Sequence, residues 1–549
     1  MNLCSVLFAA AAALAPLAAQ TAATTSPPHI LVDTVGPDGW RIRFAPTNLG
    51  SLLESEQGRA LWQPGTAPVL GWLRQGFGAD TDFGPVQDRL LGYGGRIRVG
   101  VWLRQDESRE PRPFAAAAVF EGDGRTDLGA LAADLRQMQS GLDGDWGPQE
   151  FAGRSVTMLC HGEDRMTAPI VGEHHLLIVT STGDDIAAAL ANATAWVGTC
   201  DGKAPAPTTP ALRIQVATPE LIALMRRAAG DDDEAATLQA LGIDGLGPSL
   251  FQLSTAGPHV QCELAQAFAE APRGLFAALF PGTTGVPALQ RLLPSAPGSW
   301  KVGRFDLLAL YDAAVAVAAA NGIDEPEMRQ DMREQLGVDL RDDLLAHVTD
   351  AMLLHGASFE DIDRLERTPW LLAFGLRDHA AFATSLETAL AKAKPMLQRE
   401  ATVEHGNAKL WRYGNMFAYD LWLGVGDGLF VVAGGEDGED RVKALFDAAR
   451  APAAAEAPAL PPAIADLQRH LPPGLNGAAA GDLDSLAALP ADLWWSLLRE
   501  FVPVPRPQST ADTEQQREAL RELLRQHHLD RLRSATGFAE RTWRWRLYW

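Results

Sequence analysis

Two distant stretches of the chain share one pattern: PIVGEHHLLIVTSTGDDIAAALANATA (Pro169–Ala195) and WLGVGDGLFVVAGGEDGEDRVKALFDAA (Trp422–Ala449). Each reads as two apolar strands joined by a Val-Gly-acid turn, then an acidic cap and a helix. Because one copy lies in each half of the chain, we expect a single plan of strands and helices to have been used twice. The pattern therefore predicts that the Gly172 turn and the Gly426 turn are equivalent.

A shorter pattern, an alternating strand followed by a capped helix, opens four segments. In the first of them Trp40, Ile42 and Phe44 are expected on one strand face, with Thr47 or Asn48 as the helix cap. The four openers are GWRIRFAPTNLGSLL (Gly39–Leu53), ALRIQVATPELIALM from Ala211, SWKVGRFDLLAL from Ser299 and LNGAAAGDLDSL from Leu475.

The order of elements between the openers predicts an α+β fold, a tandem duplication of modules with mainly antiparallel sheets and packed helices. Many connections are short enough for hairpins, which favours antiparallel pairing over parallel βαβ units. Divided near Pro297, the halves are expected to superpose, with Trp40 over Trp300. The predicted segments are a signal peptide (1–19), a tether (20–28), a first α+β module (29–200), a first short unit (211–297), a second module (298–450) and a second short unit (474–549).

Composition and charge restrict the classes of partner. The chain has 549 residues, of which 47% are hydrophobic and 21% charged, so several packed units are expected. The formal net charge of −22 opposes binding to polyanions, and no run rich in Lys or Arg reverses it locally. We therefore expect no nucleic-acid partner.

The amino terminus, MNLCSVLFAAAAALAPLAAQ, carries an apolar run from Leu3 to Ala19 that is interrupted by Pro16. This is typical of a secretory signal peptide cleaved after Ala19, which predicts a periplasmic or extracellular protein. A retained signal anchor is the alternative, because no Lys or Arg precedes the run and Leu17 would occupy position −3. No later stretch approaches the roughly 20 apolar residues of a membrane span, so no integral span is expected after signal removal.

Three cysteines follow the signal segment: Cys160, Cys200 and Cys262. An exported chain would tolerate a disulfide between Cys160 and Cys200, but an odd number does not suit a disulfide scaffold. Buried free thiols are the other interpretation, since Cys160 and Cys262 lie in apolar strand patterns. None of the three has zinc-binding spacing.

The pair His174 and His175, with His161 before it, is the histidine concentration best suited to a metal. The second copy has Asp427 and Gly428 in the same turn, so a metal site shared by both copies is excluded. The pair is therefore interpreted as part of a turn. The pair His527 and His528 is interpreted as closing a helix, where polar and cationic residues suit the carboxyl end.

Two acidic clusters could supply oxygen ligands, yet neither has the spacing of a calcium loop. We interpret them as solvated loop and helix-cap carboxylates. The chain contains no G-x-S-x-G, S-x-x-K or H-E-x-x-H motif, and no G-x-G-x-x-G between a strand and a helix. No catalytic, cofactor-binding or metal residue is therefore assigned, and no cofactor is expected. The clusters are Asp231, Asp232, Asp233 and Glu234, and Glu436, Asp437, Glu439 and Asp440.

The last strand alternates aromatic and basic residues. Trp543, Trp545, Leu547 and Trp549 are expected on one face, and Arg544, Arg546 and Tyr548 on the other. We expect the Trp face to dock into the core of the last module. An exposed Trp face that binds a partner is the alternative.

The repeated opener, the acidic turn before GVDLRDDLLAHVTDAMLLHG, and the Val-Gly-Asp-Gly hairpin of Val425 to Gly428 carry a resemblance. In these features the chain resembles exported bacterial proteins of domain-of-unknown-function families, built from loosely repeated modules behind a signal peptide. The resemblance spans most of the mature chain and implies the same exported, modular architecture. Such families have no established catalytic residues, so it assigns none here.

These observations favour an exported α+β protein that serves as a non-enzymatic interaction or cell-envelope component, bound to an unidentified protein or envelope partner. The repeat architecture, which multiplies surface, is the positive support. One alternative is an envelope hydrolase with a site at the junction of the two halves, and another is a small-ligand binding protein with a cleft between them.

Overall fold

The computed structural model describes most of the chain after the tether. Within it the chain divides into two compact units, one comprising Met1–Gly230, Gly247–Leu264 and Trp495–Pro507, the other comprising Asp231–Leu246, Ala265–Trp494 and Gln508–Trp549. Both contain helices and antiparallel strands, which gives the α+β class. The described residues are 28–56, 86, 89–90, 92–105, 111–139, 144–151, 154–161, 164–182, 186–198, 200–206, 208–229, 232–293, 299–356, 370–392, 399–414, 420–435, 437–451, 460–482, 518 and 522–549.

Unit 1 is built on an antiparallel sheet. Its strands are β1 (Ile30–Val35), β2 (Arg96–Gln105), β3 (Pro111–Glu121), β4 (Asp145–Phe151), β5 (Arg154–His161), β6 (Asp164–Thr167), β7 (Ile170–Val171), β8 (His175–Thr182) and β9 (Leu212–Val216), together with most of β10 (Leu246–Ala256) and β11 (His259–Phe268). The pairing order is β10–β9–β1–β2–β3–β8. Beyond β8 the sheet continues through β6 to β5 and then β4, and the short β7 also pairs with β8.

The helices of unit 1 pack on both faces of this sheet. They are α1 (Pro37–Phe44), α2 (Asn48–Glu54), α3 (Leu128–Gln139), α4 (Ile186–Val197) and α5 (Thr218–Ala229). Under α4, Trp102 of β2 stacks on Trp196 with ring centroids 5.9 Å apart. Gly100 permits this contact, because a Cβ there would lie 2.2 Å from the Trp196 ring.

Unit 2 also contains an antiparallel sheet. Its strands are β12 (Ser299–Arg304), β13 (Val348–Gly356), β14 (Trp370–Leu376), β15 (Arg399–His405), β16 (Ala408–Tyr413), β17 (Leu421–Gly426), β18 (Leu429–Gly434), β19 (Leu475–Asp482), β20 (Arg531–Ala539) and β21 (Thr542–Tyr548). The pairing order is β21–β20–β19–β12–β13–β14–β18–β17–β16–β15.

The helices of unit 2 cover a core that contains Phe374, Phe382, Trp411 and Tyr413. Asp306 caps an apolar helix of 14 residues, Leu307–Ala320, since its carboxylate accepts hydrogen bonds from the N–H groups of Leu308 and Ala309. The helices are α6 (Asp232–Ala240), α7 (Leu275–Leu279), α8 (Leu307–Ala320), α9 (Glu325–Leu336), α10 (His379–Lys392) and α11 (Gly438–Arg450), with a π-helical turn at Leu340–Leu344 and 3-10 turns at Ile243–Gly245, Ala288–Leu292, Leu345–His347 and Pro462–His470.

The first opener was wrong as a strand. Residues from Pro37 to Phe44 form helix α1, and the strand is the preceding β1. Gly36 is extended and precedes the helix, which begins at Pro37. Proline favours this first helical position because its ring fixes φ near the helical value. Trp40 and Phe44 then meet at helical spacing, with ring centroids 5.3 Å apart. The predicted superposition of Trp40 on Trp300 is therefore wrong, because Trp300 lies on strand β12.

The other local predictions have mixed outcomes. Thr47 does cap α2, accepting a hydrogen bond from the N–H of Gly50 at 3.1 Å. The openers from Ala211 and Ser299 form a strand and a helix, whereas the helix predicted after β19 lies outside the described residues. In the described part of the chain, no helix combines the length and apolar character needed to cross a membrane.

The terminal hairpin corrects the predicted orientation of β21. The most buried residue of that strand is Tyr548, only 1% exposed, on the face opposite the Trp residues. Its hydroxyl donates to the carbonyl oxygen of His470 at 2.6 Å. Trp543 is half-buried against Phe280, with ring centroids 4.5 Å apart. Both faces of the strand are thus partly covered, and the most buried side chain lies on the face opposite the Trp residues.

Candidate functional site

A cluster of four charged residues links the first three strands of unit 1. Arg96 bonds both carboxylate oxygens of Asp33, with Nε to Oδ1 at 2.6 Å. Arg98 places Nη2 2.6 Å from Oε1 of Glu121. Because Arg98 is directly opposite Asp33 in one ladder and opposite Val119 in the other, both pairs are diagonal contacts. The four side chains therefore hold β1, β2 and β3 in register.

The same cluster contains a thiol, but its protonation opposes nucleophilic chemistry. Burial raises the pKa of Glu121, and the arginines Arg98 and Arg96 only partly offset this. Burial and the neighbouring Glu121 raise the pKa of Cys200 to about 11. A thiol with that pKa is protonated at neutral pH, whereas the thiolate is the reactive form. The geometry suits a structural role for this cluster.

In unit 2 a network of Arg and Asp residues surrounds the π-helical turn. Asp339 accepts hydrogen bonds from the N–H groups of Arg341 and Asp342 at 3.1 and 3.0 Å. Arg329 bridges Asp339 and Asp342 at 2.8 Å each. Although burial opposes it, these hydrogen bonds and Arg329 lower the pKa of Asp339. The acidic residues within GVDLRDD thus form a cap and ion-pair network, and the carboxylates of Asp339 and Asp342 are engaged by protein donors.

A third cluster joins two hairpin turns to the end of α11. Nη1 of Arg450 donates to the carbonyl oxygen of His405 at 2.8 Å and lies 3.2 Å from Oδ2 of Asp427. Nη2 of the same guanidinium donates to Asp447, which also contacts Nε2 of His405 at 2.8 Å. His405 and Arg450 together lower the pKa of Asp447. Arg450 thereby fixes the β15–β16 turn beside the β17–β18 turn.

The residues considered for metal binding lie in separate places. His174 is partly exposed, with Nε2 3.6 Å from Oε1 of Glu173, and His175 begins β8. Glu439 pairs with Lys443 one turn along α11 at 2.6 Å. Within the described ranges, no group of three or more His, Cys, Asp or Glu side chains is arranged to hold a metal ion. Asp231 and Glu436 lie outside those ranges.

The described cysteines are free thiols. Cys160 and Cys200 are half-buried and Cys262 is buried. The structure therefore agrees with the interpretation as free thiols and not with a disulfide between Cys160 and Cys200. His527 and His528 follow the last described helical turn, and His528 has a φ of 55°, as expected of residues that end a helix.

The two sheets each end in a hairpin whose outer strand has a single partner in the described structure: β4 beside β5, and β15 beside β16. The ladders close at Phe151 opposite Arg154 and at His405 opposite Ala408, each pair flanking two residues. Such a closing pair is hydrogen-bonded, and antiparallel ladders then alternate. In each outer strand, the residues one and three positions before the closing residue therefore point their backbone N–H and C=O groups away from the neighbouring strand.

This alternation gives the two outer edges different chemistry. Three residues before the closing pair lies Pro148 in β4 and Thr402 in β15. Proline has no N–H, so the centre of the β4 edge lacks a donor, which is a common protection of edge strands. Thr402 keeps its N–H, and Glu404, the next outward position, keeps both backbone groups. From Ala401 to His405 the β15 edge thus keeps its outward groups, and its register is irregular only between Arg399 and Ala401.

The side chains of β15 also distinguish it. Thr402 and Glu404 are exposed, while Val403 is half-buried against the sheet. Glu404 has no ion pair in the part of the chain that the structure describes, since its cross-strand neighbour Lys409 pairs with Glu387. The edge therefore combines open hydrogen-bonding groups, an apolar side chain and a carboxylate.

Sequence reasoning missed this edge. A proline inside a strand pattern, as in DWGPQEF from Asp145, indicates an edge strand, and that signal was available in the sequence. No comparable local signal marks β15, because an edge is defined by what pairs with it.

Comparisons with known proteins add little beyond this geometry. No protein-family model matches the chain, and no curated protein matches it. Among solved structures it is similar to crystal form III of TP0453, with 8% identity, 49% of this chain and 91% of that chain covered, and a TM-score of 0.24. Crystal form IV gives 8% identity, 45% and 81% coverage, and a TM-score of 0.21. These values establish no family for this protein.

Proposed function

We propose that this protein is an exported, non-enzymatic interaction component of the cell envelope that binds a partner by strand addition at the outer edge of β15. The observation that carries the proposal is the contrast between the two outer edges. Pro148 interrupts the outward donors of β4, whereas Thr402 and Glu404 keep theirs in the regular part of β15. Strand addition uses such open backbone groups for affinity and the alternate side chains for specificity.

The polar clusters are consistent with a scaffold of this kind. The charged groups around Glu121, Asp339 and Arg450 bind neighbouring strands, turns and helix ends. Side chains engaged in this way rigidify an edge, which lowers the entropy lost when a partner strand is ordered against it. The β15 hairpin benefits directly, because Arg450 holds its turn.

We also infer that the two units arose by tandem duplication. The order β10–β9–β1–β2–β3–β8 in unit 1 matches β20–β19–β12–β13–β14–β18 in unit 2, strand for strand along the chain. The match supports the duplication and implies that Pro148 and Thr402 occupy equivalent positions. An experimental structure in which these sheets fail to superpose would contradict it.

Export is proposed from the apolar segment between Leu3 and Ala19. Amino-terminal sequencing of protein from the periplasmic or extracellular fraction is expected to begin near Gln20. An intact Met1 on membrane-bound protein would contradict cleavage.

The interaction is tested in the native cells with a photo-cross-linking amino acid in place of Glu404, and in a matched protein in place of Glu150 of β4. Both positions are exposed and lie one residue before the closing pair. We expect a discrete adduct from position 404, none from position 150, and loss of the adduct when Thr402→Pro is added. Equal adducts from both positions, or an adduct unaffected by Thr402→Pro, would refute strand addition at β15.

A further inference from the structure

The β15 edge carries an excess of carboxylates. Glu400 and Glu404 project from the strand, and both are exposed. Glu400 shares Arg412 with Asp420, at 3.4 and 2.7 Å respectively. Arg399, exposed at the start of the strand, is a second cation at this end, whereas Glu404 has no ion pair with any described residue.

At the turn end of the strand the carboxylates outnumber the cations. Arg450 lies between Asp427 and Asp447 and contacts both. The Nε2 atom of His405 also contacts Asp447, at 2.8 Å. The turn end of β15, together with Glu404, therefore presents net negative charge, in a protein whose overall charge is −22.

The opposite face of the strand is less polar. Ala401 and Val403 are half-buried and alternate with the exposed Thr402 and Glu404. A strand added beside β15 would place one alternate set of its side chains next to Thr402 and Glu404 and the other set next to Ala401 and Val403, the part of β15 with regular register. Cross-strand pairs of opposite charge stabilise such a ladder, and like charges oppose it.

We propose that the partner strand at the β15 edge is an extended segment that alternates Lys or Arg with apolar residues. This inference rests on the proposed function and names the chemistry of its partner. The hydrogen bonds would form with the outward N–H and C=O groups of Thr402 and Glu404. The cations would neutralise the carboxylate excess, and the apolar residues would extend the surface at Val403.

The test uses the purified mature chain and fluorescent heptapeptides. One peptide alternates Lys and Val, a second alternates Glu and Val, and a third alternates Ser and Val. We expect saturable anisotropy with the Lys peptide, at least about tenfold weaker binding of the Ser peptide, and no binding of the Glu peptide. Raising the salt concentration is expected to weaken the Lys peptide selectively, because the edge charges are solvent-exposed.

Two variants separate the contribution of the backbone hydrogen bonds to peptide binding from that of the charges. Thr402→Pro removes an outward N–H that the sheet itself does not use, so the protein should fold and bind the Lys peptide at least about tenfold more weakly. Thr402→Ala keeps the N–H and should bind as the wild type does. Circular dichroism and the urea midpoint confirm that both variants are folded.

The outcomes distinguish the two proposals. If a peptide of any charge binds and Thr402→Pro weakens it, strand addition stands, and Lys selectivity then decides the partner chemistry. Equal binding of the Glu and Lys peptides would overturn the basic-partner inference alone. Binding of the Lys peptide that Thr402→Pro leaves unchanged would overturn it too, as a nonspecific attraction to the acidic surface. If no peptide binds and position 404 gives no cross-link, both proposals fail.

Discussion

The contact between Arg450 and the β15–β16 turn can be measured through Gly406. Gly406 has a φ of 61°, and a Cβ built there would lie 2.3 Å from Nη1 of Arg450. Gly406→Ala therefore combines two costs: the positive φ, about 1–2 kcal/mol for a residue with a Cβ, and displacement of the guanidinium. Gly428 in the neighbouring turn has a φ of 77° with no atom within 4 Å of its Cβ position, so Gly428→Ala carries backbone strain alone.

The cost of displacing Arg450 follows from what it contacts. Its Nη1 donates to the carbonyl oxygen of His405 and lies 3.2 Å from Asp427, whose side chain is only 12% exposed. Hydrogen bonds that involve a charged group contribute about 1.5–3 kcal/mol, and the 27% exposure of the Arg450 side chain reduces this through solvent screening. We expect a net contribution of about 1–2 kcal/mol.

A double-mutant cycle isolates that contribution. The free energy of unfolding is measured for Gly406→Ala and for Gly428→Ala, each in the wild type and in an Arg450→Ala background. It is obtained from the urea transition of unit 2 in the whole protein. Gly406→Ala should cost about 1–2 kcal/mol less in the Arg450→Ala background, because nothing remains to be displaced. Gly428→Ala should cost the same in both. A coupling between Gly406 and Arg450 below about 0.5 kcal/mol would refute the contact as the reason for glycine at this turn.

Further predictions concern the terminal strand, the buried ionisable groups and the β4 edge. Tyr548→Phe removes the hydroxyl that donates to His470 and should lower the free energy of unfolding by about 1 kcal/mol in urea denaturation; no change would mean that water replaces the bond. The pKa of Cys262, raised to about 11 by burial, predicts iodoacetamide alkylation at pH 8 about a hundredfold slower than in the urea-unfolded chain, and equal rates would contradict it. Because burial raises the pKa of Glu121, the folded state holds its proton more tightly, so wild-type stability should fall as pH rises above the ordinary carboxyl value of 4.5. Glu121→Gln should lack that part of the fall, as followed by urea midpoints from pH 4 to 8, and identical pH profiles would refute the assignment. Pro148→Ala restores an outward donor to β4 and should produce concentration-dependent self-association in sedimentation experiments, whereas a strictly monomeric variant would show that the proline does not protect this edge.

Much of the local structure could be predicted from the sequence, because it depends on residues near one another in the chain. The turn of Asp427 and Gly428 is an example: both residues have positive φ, as a two-residue hairpin turn requires, and apolar strands flank them. The same holds for the Thr47 cap and for the amphipathic helix α11 after the acidic turn. In each case the decisive interactions span only a few residues.

The first opener shows where local patterns become ambiguous. Trp40, Ile42 and Phe44 alternate as in a strand, yet Trp40 and Phe44 are also four residues apart, as on one face of a helix. The tertiary structure resolves the choice, since Nε1 of Trp40 donates to Oγ1 of Thr34 at 3.0 Å and Ile42 is left 49% exposed. A strand would have required all three side chains to be buried together.

The candidate site depends on tertiary structure almost entirely. That β4 and β15 are outer strands, and that Pro148 and Thr402 face outward at matching positions, follows from ladders and sheet order. The buried face of β21 was likewise decided by the distant carbonyl oxygen of His470. The sequence by itself determined local features such as the Asp427–Gly428 turn and the Thr47 cap, because short-range sterics and hydrogen bonds control them. Only the fold decided which strand remained at the edge, because pairing between strands far apart in the chain is a competition among all of them for the same hydrogen bonds and apolar surface.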